Sequence, residues 1–227
     1  MAVSYGLDLS QIKLDEFCTL LKEQDLLPSR VILRDNLDLY FDKLQTAGLF
    51  TMQDLVNQLS TKKKVETFSQ TTGIPVDYLT ILRRQARSYL ASPIYLKEIP
   101  GINSQTVQKL AQIGINNSQH LFDRCLTPNQ RIELANELQV PIEEINELAQ
   151  LSDLVRAGWV GPIFVRLLHS TGIHSIKELA ESDAADLYQR TLQVNQENKL
   201  TKAGYSQKDV LACIETAKKL PDRLLVD

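Results

Sequence analysis

Apolar residues in this chain recur at intervals of three and four, the spacing of one face of an α-helix. Leu9, Ile12, Phe17, Leu20 and Leu21 form the first such stripe, within Leu9 to Leu27, and Ser10 is placed to cap it. Pro28 and Ser29 break this helix and open another, Ser29 to Ala47. It ends at Gly48, where a left-handed C-terminal residue needs no Cβ. Thr51 then begins a short helix carrying Met52, Leu55, Val56 and Leu59. Thr61 begins one that carries Val65 and Phe68 and stops at Gly73. Pro75 begins a third, with Tyr78, Leu79 and Leu82 turned inward. The sequence has no long alternating run and no Asn-Gly or Asp-Gly hairpin, so the pattern predicts an all-α protein with short loops.

The same punctuation then returns. Asp42 to Arg84 aligns without a gap on Gln108 to Gln150. Leu44 falls on Leu110, Gly48 on Gly114, Leu55 on Leu121, Pro75 on Pro141 and Leu82 on Leu148. A third copy keeps the first half, with Leu168, Gly172, Ile173 and Leu179 in register. In the second copy the cap positions fall to Ser118, Thr127 and Pro141. The copies lie about 60 residues apart, longer than the 20–50 of most solenoid repeats, so each is expected to be a small multi-helix unit. The expected organisation is an N-terminal helical extension over 1–35 and helical units over 36–92, 93–151 and 152–227. A polar, turn-rich insertion is expected near 195–204, before a last helix from Ser206 to Leu220.

Two stretches ahead of the repeated Leu-x-x-x-Gly helices add glycine turns: Ile99-Pro-Gly101-Ile102-Asn103 and Gly158-Trp159-Val160-Gly161. They resemble the helix-hairpin-helix motif, in which backbone amides of the turn and the following helix N-terminus hold a DNA phosphate. Exposed amides beside a positive helix end are suited to that task. Asn103 stands where the motif has its second glycine and tolerates the same left-handed geometry. Trp159, the one tryptophan, stands in place of the other hairpin's first glycine and is expected to be a packing anchor. Residues 96–221 as a whole resemble an uncharacterised family, the domain of unknown function numbered 4332. Ile99-Pro-Gly-Ile, Leu151-Ser-Asp-Leu-Val-Arg, Gly172-Ile-His-Ser-Ile-Lys-Glu-Leu-Ala and Val194-Asn-Gln-Glu-Asn-Lys-Leu carry that likeness. It implies tandem helix-hairpin-helix units of SAM-domain-like fold and no particular activity.

Charge changes this picture in one place. The formal net charge is −3, yet Thr61 to Lys97 holds Lys62, Lys63, Lys64, Arg83, Arg84, Arg87 and Lys97 against only Glu66 and Asp77. Such asymmetry marks a candidate surface for an anionic partner. Arg83, Arg84 and Arg87 fall on neighbouring helical positions. The hairpins themselves are followed by Ser104-Gln105-Thr106 and Pro162-Ile163-Phe164, with no cation.

The remaining candidate chemistry is thin. Cys18, Cys125 and Cys213 are far apart and read as free buried thiols. His120, His169 and His174 lack His-x-x-x-His spacing, so no metal is expected. Glu143, Glu144 and Glu147 open a helix whose dipole they offset. With no triad elbow, P-loop or dinucleotide fingerprint, the chain reads as a non-enzymatic interaction module or adaptor without a cofactor. Its expected partner is another protein. The alternative is nucleic acid, weakly bound through Lys62, Lys63, Lys64, Arg83, Arg84, Arg87, Gly101, Asn103 and Gly161. No basic region precedes an apolar run at the N-terminus, and no run reaches the roughly 18 apolar residues of a membrane span, so a cytoplasmic, membrane-free protein is expected.

Overall fold

The computed structural model describes residues 5–23, 26–158 and 160–225; Trp159, read above as a packing anchor, lies outside them. Regular structure among the described residues is helical, and β-pairing is limited to two isolated bridges, Lys13 with Thr51 and Tyr95 with Asn117. No described helix is long and apolar enough to cross a membrane. The chain forms two compact units: residues 7–90, and residues 1–6 together with 91–227.

In the 7–90 unit, helix α1 (Leu14–Glu23) is followed by a 3-10 segment (Pro28–Arg34), then α2 (Leu37–Thr46), α3 (Met52–Gln58), α4 (Lys62–Thr72) and α5 (Val76–Arg87). Two expectations are corrected here. Ser10 does not cap a helix, because its N–H and Oγ turn back to the Asp8 carboxylate at 3.0 and 2.6 Å. Lys13 then enters the bridge with Thr51, so Leu14 is the first residue free to wind. Nor is 29–47 one helix: Asn36 takes a left-handed conformation, φ 50°, which breaks it before Leu37. The apolar stripes close over Leu14, Phe17, Leu21, Leu44, Leu55, Leu79 and Leu82, all buried. The Phe17 ring meets Phe41 and Tyr89 at 5.9 and 5.8 Å between centroids.

The other unit has a 3-10 turn (Leu96–Glu98), α6 (Ser104–Gln112), α7 (Ser118–Phe122), α8 (Pro128–Leu138) and α9 (Ile142–Leu154). A second 3-10 turn (Val155–Ala157) leads to α10 (Pro162–Ser170), α11 (Ile176–Glu181), α12 (Ala184–Asn198) and α13 (Gln207–Ala217). Helix α9 is central and packs on α7, α8, α10 and α11. The polar stretch expected as an insertion begins inside α12, which ends where Lys199 turns left-handed. The Asn195 side chain then closes the loop by bonding both the N–H and the carbonyl of Thr201, at 2.9 and 3.0 Å.

The repeat is visible in backbone geometry. Gly48, Gly114 and Gly172 end α2, α6 and α10 with φ of 86°, 84° and 88°. The amide after the glycine reaches back to the repeat leucine, Leu49 N–H to Leu44 O at 3.1 Å and Ile115 N–H to Leu110 O at 2.9 Å. Three residues past each glycine sits the cap of the next short helix: Thr51, Asn117 and Ser175. Asn117, not Ser118, therefore holds the cap position of the second copy; Ser118 is the first residue of α7 and is buried. Thr61 and Thr127 cap α4 and α8, Gly73 and Gln139 turn left-handed after them, and Pro75 and Pro141 open α5 and α9.

The incoming chain repeats too. The amide of Met52 donates to Ile12 O, and that of Ser118 to Ile94 O, both at 2.9 Å. In the third copy the equivalent amide, of Ile176, instead donates to the Asp153 carboxylate at 2.7 Å. A buried amide has to find an acceptor; where no incoming backbone supplies one, a buried side chain does.

Candidate functional site

Of the seven basic residues singled out in the sequence, Lys62, Lys63, Lys64, Arg83, Arg84 and Arg87 belong to the 7–90 unit and Lys97 to the other. Lys62, Lys63 and Lys64 occupy the first three positions of α4, exposed, after the Thr61 cap. Cations at that end oppose the helix dipole, so the local potential is strongly positive. Lys62 approaches Glu66 at 3.8 Å and Lys64 Nζ donates to Asn57 O at 3.2 Å. On α5, which packs on α4, Arg84 and Arg87 are exposed and Arg83 is half-buried. Burial first, and then the charge of Arg84, lower the pKa of Arg30, whose guanidinium bonds the Gln85 carbonyl and Ser88 Oγ.

Gly101, Asn103 and Gly161 lie in the other unit. Gly101 is left-handed, φ 77°. Asn103 is not: at φ −65° it caps α6, its Oδ1 accepting from Gln105 N–H at 3.0 Å. A carboxylate of the same chain binds two side chains beside the start of α6. Glu144, on α9, accepts from Asn103 Nδ2 at 2.9 Å and from the Thr106 hydroxyl. These bonds, Thr106 first, hold Glu144 below the usual carboxylate range. One turn on, Glu147 binds Arg166 of α10 at 2.6 Å, and Arg166 Nε donates to Pro100 O at 2.7 Å. The guanidinium lies 3.8 Å from where a Gly101 Cβ would stand, and its Nη2 is buried without a partner among the described residues. Glu144 and Glu147 thus fasten the 100–106 turn in addition to sitting early in their own helix. In the second glycine turn Gly158 is the left-handed residue, φ 70°, while Gly161 is extended and opens α10 ahead of Pro162.

The sequence reading missed a buried ionic centre in this unit. Asp153 and Arg156 form an ion pair whose side chains are fully buried. Arg156 Nε donates to Tyr5 O at 2.9 Å, its second amino group to Pro221 O at 2.8 Å, and its guanidinium lies 4.6 Å from the Phe122 ring centre. Burial pushes Asp153 upward; Arg156 and the Ile176 amide pull it back. Tyr5 OH donates within reach of Ser118 Oγ (2.8 Å) and Ser152 O (3.0 Å), and burial raises its pKa. Arg156 thereby ties both chain ends into the unit. The available signal was an Asp and an Arg three apart inside the apolar run Leu151 to Ala157.

The structure also joins His169 and His174, with ring centroids 4.7 Å apart, and sets Gln150 against His169 Nε2 at 2.8 Å. No group of three or more His, Cys, Asp or Glu suited to a metal occurs among the described residues. All three cysteines are free and buried, and burial lifts Cys125 and Cys213 to about 12. In the 7–90 unit a cleft of about 440 Å³ is lined by Lys22, Arg34 and residues 36–39, with Lys22 and Asp38 paired at 2.5 Å.

A family model described as Domain of unknown function (DUF4332) matches residues 100–220, more than half of the chain. No curated protein and no solved structure matches it.

Proposed function

We propose that this chain, which belongs to the DUF4332 family, is a non-enzymatic interaction module whose partner is another protein. The observation that carries the reading is apolar exposure in the 7–90 unit. Leu27, Val31 and Ile32 remain 52%, 48% and 40% exposed on or beside one 3-10 segment. Leu39, 52% exposed, lines the adjacent charged cleft with Arg34. Exposed aliphatic groups beside charged residues suit a protein surface that covers them. The same reading is supported beside the α6 N-terminus, where a carboxylate of the same chain, Glu144, already takes the Asn103 and Thr106 side-chain donors. The test is capture from cell extract by three full-length forms: wild type, Val31→Asp/Ile32→Asp, and Lys62→Glu/Lys63→Glu. The module reading expects one partner held by the first and third and lost by the second. Identical capture by all three rejects it.

Nucleic acid is the second reading, favoured by the three lysines crowded at the positive end of α4. Phosphate contacts would make binding steeply salt-dependent. Titration with labelled duplex and single-stranded DNA at low and moderate salt, alongside Arg83→Glu/Arg87→Glu, decides it. Tight binding lost in that variant would replace the protein-partner reading.

A further inference from the structure

We infer that His169, His174 and Gln150 form a binding site for a borderline divalent ion such as Zn²⁺. The three donors come from separate segments: Gln150 from α9, His169 from the last turn of α10, and His174 from the loop leading to α11. Gly172 brings the imidazoles together. Its left-handed turn, φ 88°, folds the chain back so that residues five apart meet. Linear His-x-x-x-His spacing does not describe such a pair.

The geometry of these contacts also suits an ion shared between the donors. His169 Nε2 and His174 Nδ1 are 3.2 Å apart. A hydrogen bond joining two imidazoles end to end at that distance puts the ring centres about 5.5 Å apart, because donor and acceptor axes are then collinear. The centroids here are 4.7 Å apart with planes at 70°, so the nitrogens face inward along bent axes. Two nitrogens sharing one ion at about 2.0–2.1 Å are separated by about 2.9–3.4 Å at angles between square and tetrahedral. The Gln150 carbonyl oxygen, 2.8 Å from the same Nε2, supplies a third donor on that side.

The backbone at His174 is held by its amide N–H, which donates to Glu178 Oε2 at 2.7 Å. The nearest cation on α10, Arg166, is neutralised by Glu147 at 2.6 Å. His169 and His174 are both half-buried. Imidazole donors select Zn²⁺, Cu²⁺ or Ni²⁺ over Mg²⁺ and Ca²⁺.

Calorimetric titration of the full chain with Zn²⁺ alone at neutral pH tests the site. One ion per chain is expected, with at least about tenfold weaker binding in His169→Ala and in His174→Ala. His120→Ala, which removes an exposed imidazole of the same unit bonded to Gly114 O, should leave the affinity unchanged. Circular dichroism checks each variant's fold, and His174→Ala reads the site by itself if His169→Ala unfolds. Absence of saturable binding by the wild type, or Zn²⁺ binding that survives His174→Ala unweakened, overturns the inference.

Discussion

Replacing Arg156 by methionine puts the buried ionic centre to a direct test. The change keeps an unbranched apolar stem and removes the guanidinium with its charge. It leaves the Asp153 carboxylate, with no exposed side-chain surface, holding only the Ile176 amide. Breaking one partner of a buried pair costs about 3–5 kcal/mol, a large share of the roughly 5–15 kcal/mol that holds a domain folded. The carbonyls of Tyr5 and Pro221 also lose their donor. Either carbonyl adds to this loss only where it stays trapped without a donor, at about 1–3 kcal/mol. The expected loss is therefore about 4 kcal/mol. Arg156→Met/Asp153→Asn should recover about half, since asparagine removes the unpaired charge while its carbonyl still accepts from Ile176. Urea unfolding followed by circular dichroism gives the energies, and hydrogen exchange at the Ile176 amide assigns them to this unit. Proteolysis should reach the Tyr5–Gly6 segment sooner in the single variant. A loss below about 1 kcal/mol, or no recovery in the double variant, would refute this account of the pair.

Three further outcomes follow from the same geometry. Gly114→Ala should cost about 1 kcal/mol although nothing lies within 4 Å of the added Cβ, because φ 84° is the whole obstacle; an unchanged melting temperature would contradict the cap. Glu144 is held below the ordinary glutamate value of 4.5, so its contribution is present above that pH and lost as pH falls through the depressed value. Glu144→Gln should accordingly flatten the acid limb of the stability profile, and a limb identical to wild type would remove Glu144 from it. Cys125 and Cys213, lifted to about 12 by burial, should resist iodoacetamide at pH 8 until the chain unfolds, since the thiolate is the reacting form; mass spectrometry of the labelled native protein decides this.

Much of the fold was legible because its signals are local. Gly48, Gly114 and Gly172 announce a left-handed residue that only glycine adopts cheaply, and all three turn that way. Thr61, Thr127, Pro75 and Pro141 mark helix starts through groups within four residues of themselves. The errors fell where neighbouring polar groups competed for one side chain. Ser10 looks like a cap, but its N–H and Oγ turn back to Asp8 two residues before it. Asn103 looks like a stand-in glycine, but its Oδ1 caps α6 through the Gln105 amide, and Glu144, from 41 residues away, takes its Nδ2.

The sequence by itself determined the helical class, the repeat and its punctuation, since helix periodicity and caps depend on contacts a few residues long. The tertiary structure alone decided the use of the charged groups. Asp153 and Arg156 are three residues apart in sequence, but their burial, and the Tyr5 and Pro221 carbonyls that complete Arg156, come from chain ends more than 60 residues away. His169 and His174 become neighbours only because Gly172 turns back between them. A side chain's hydration and partners are set by what folds over it, and that information is spread along the whole chain.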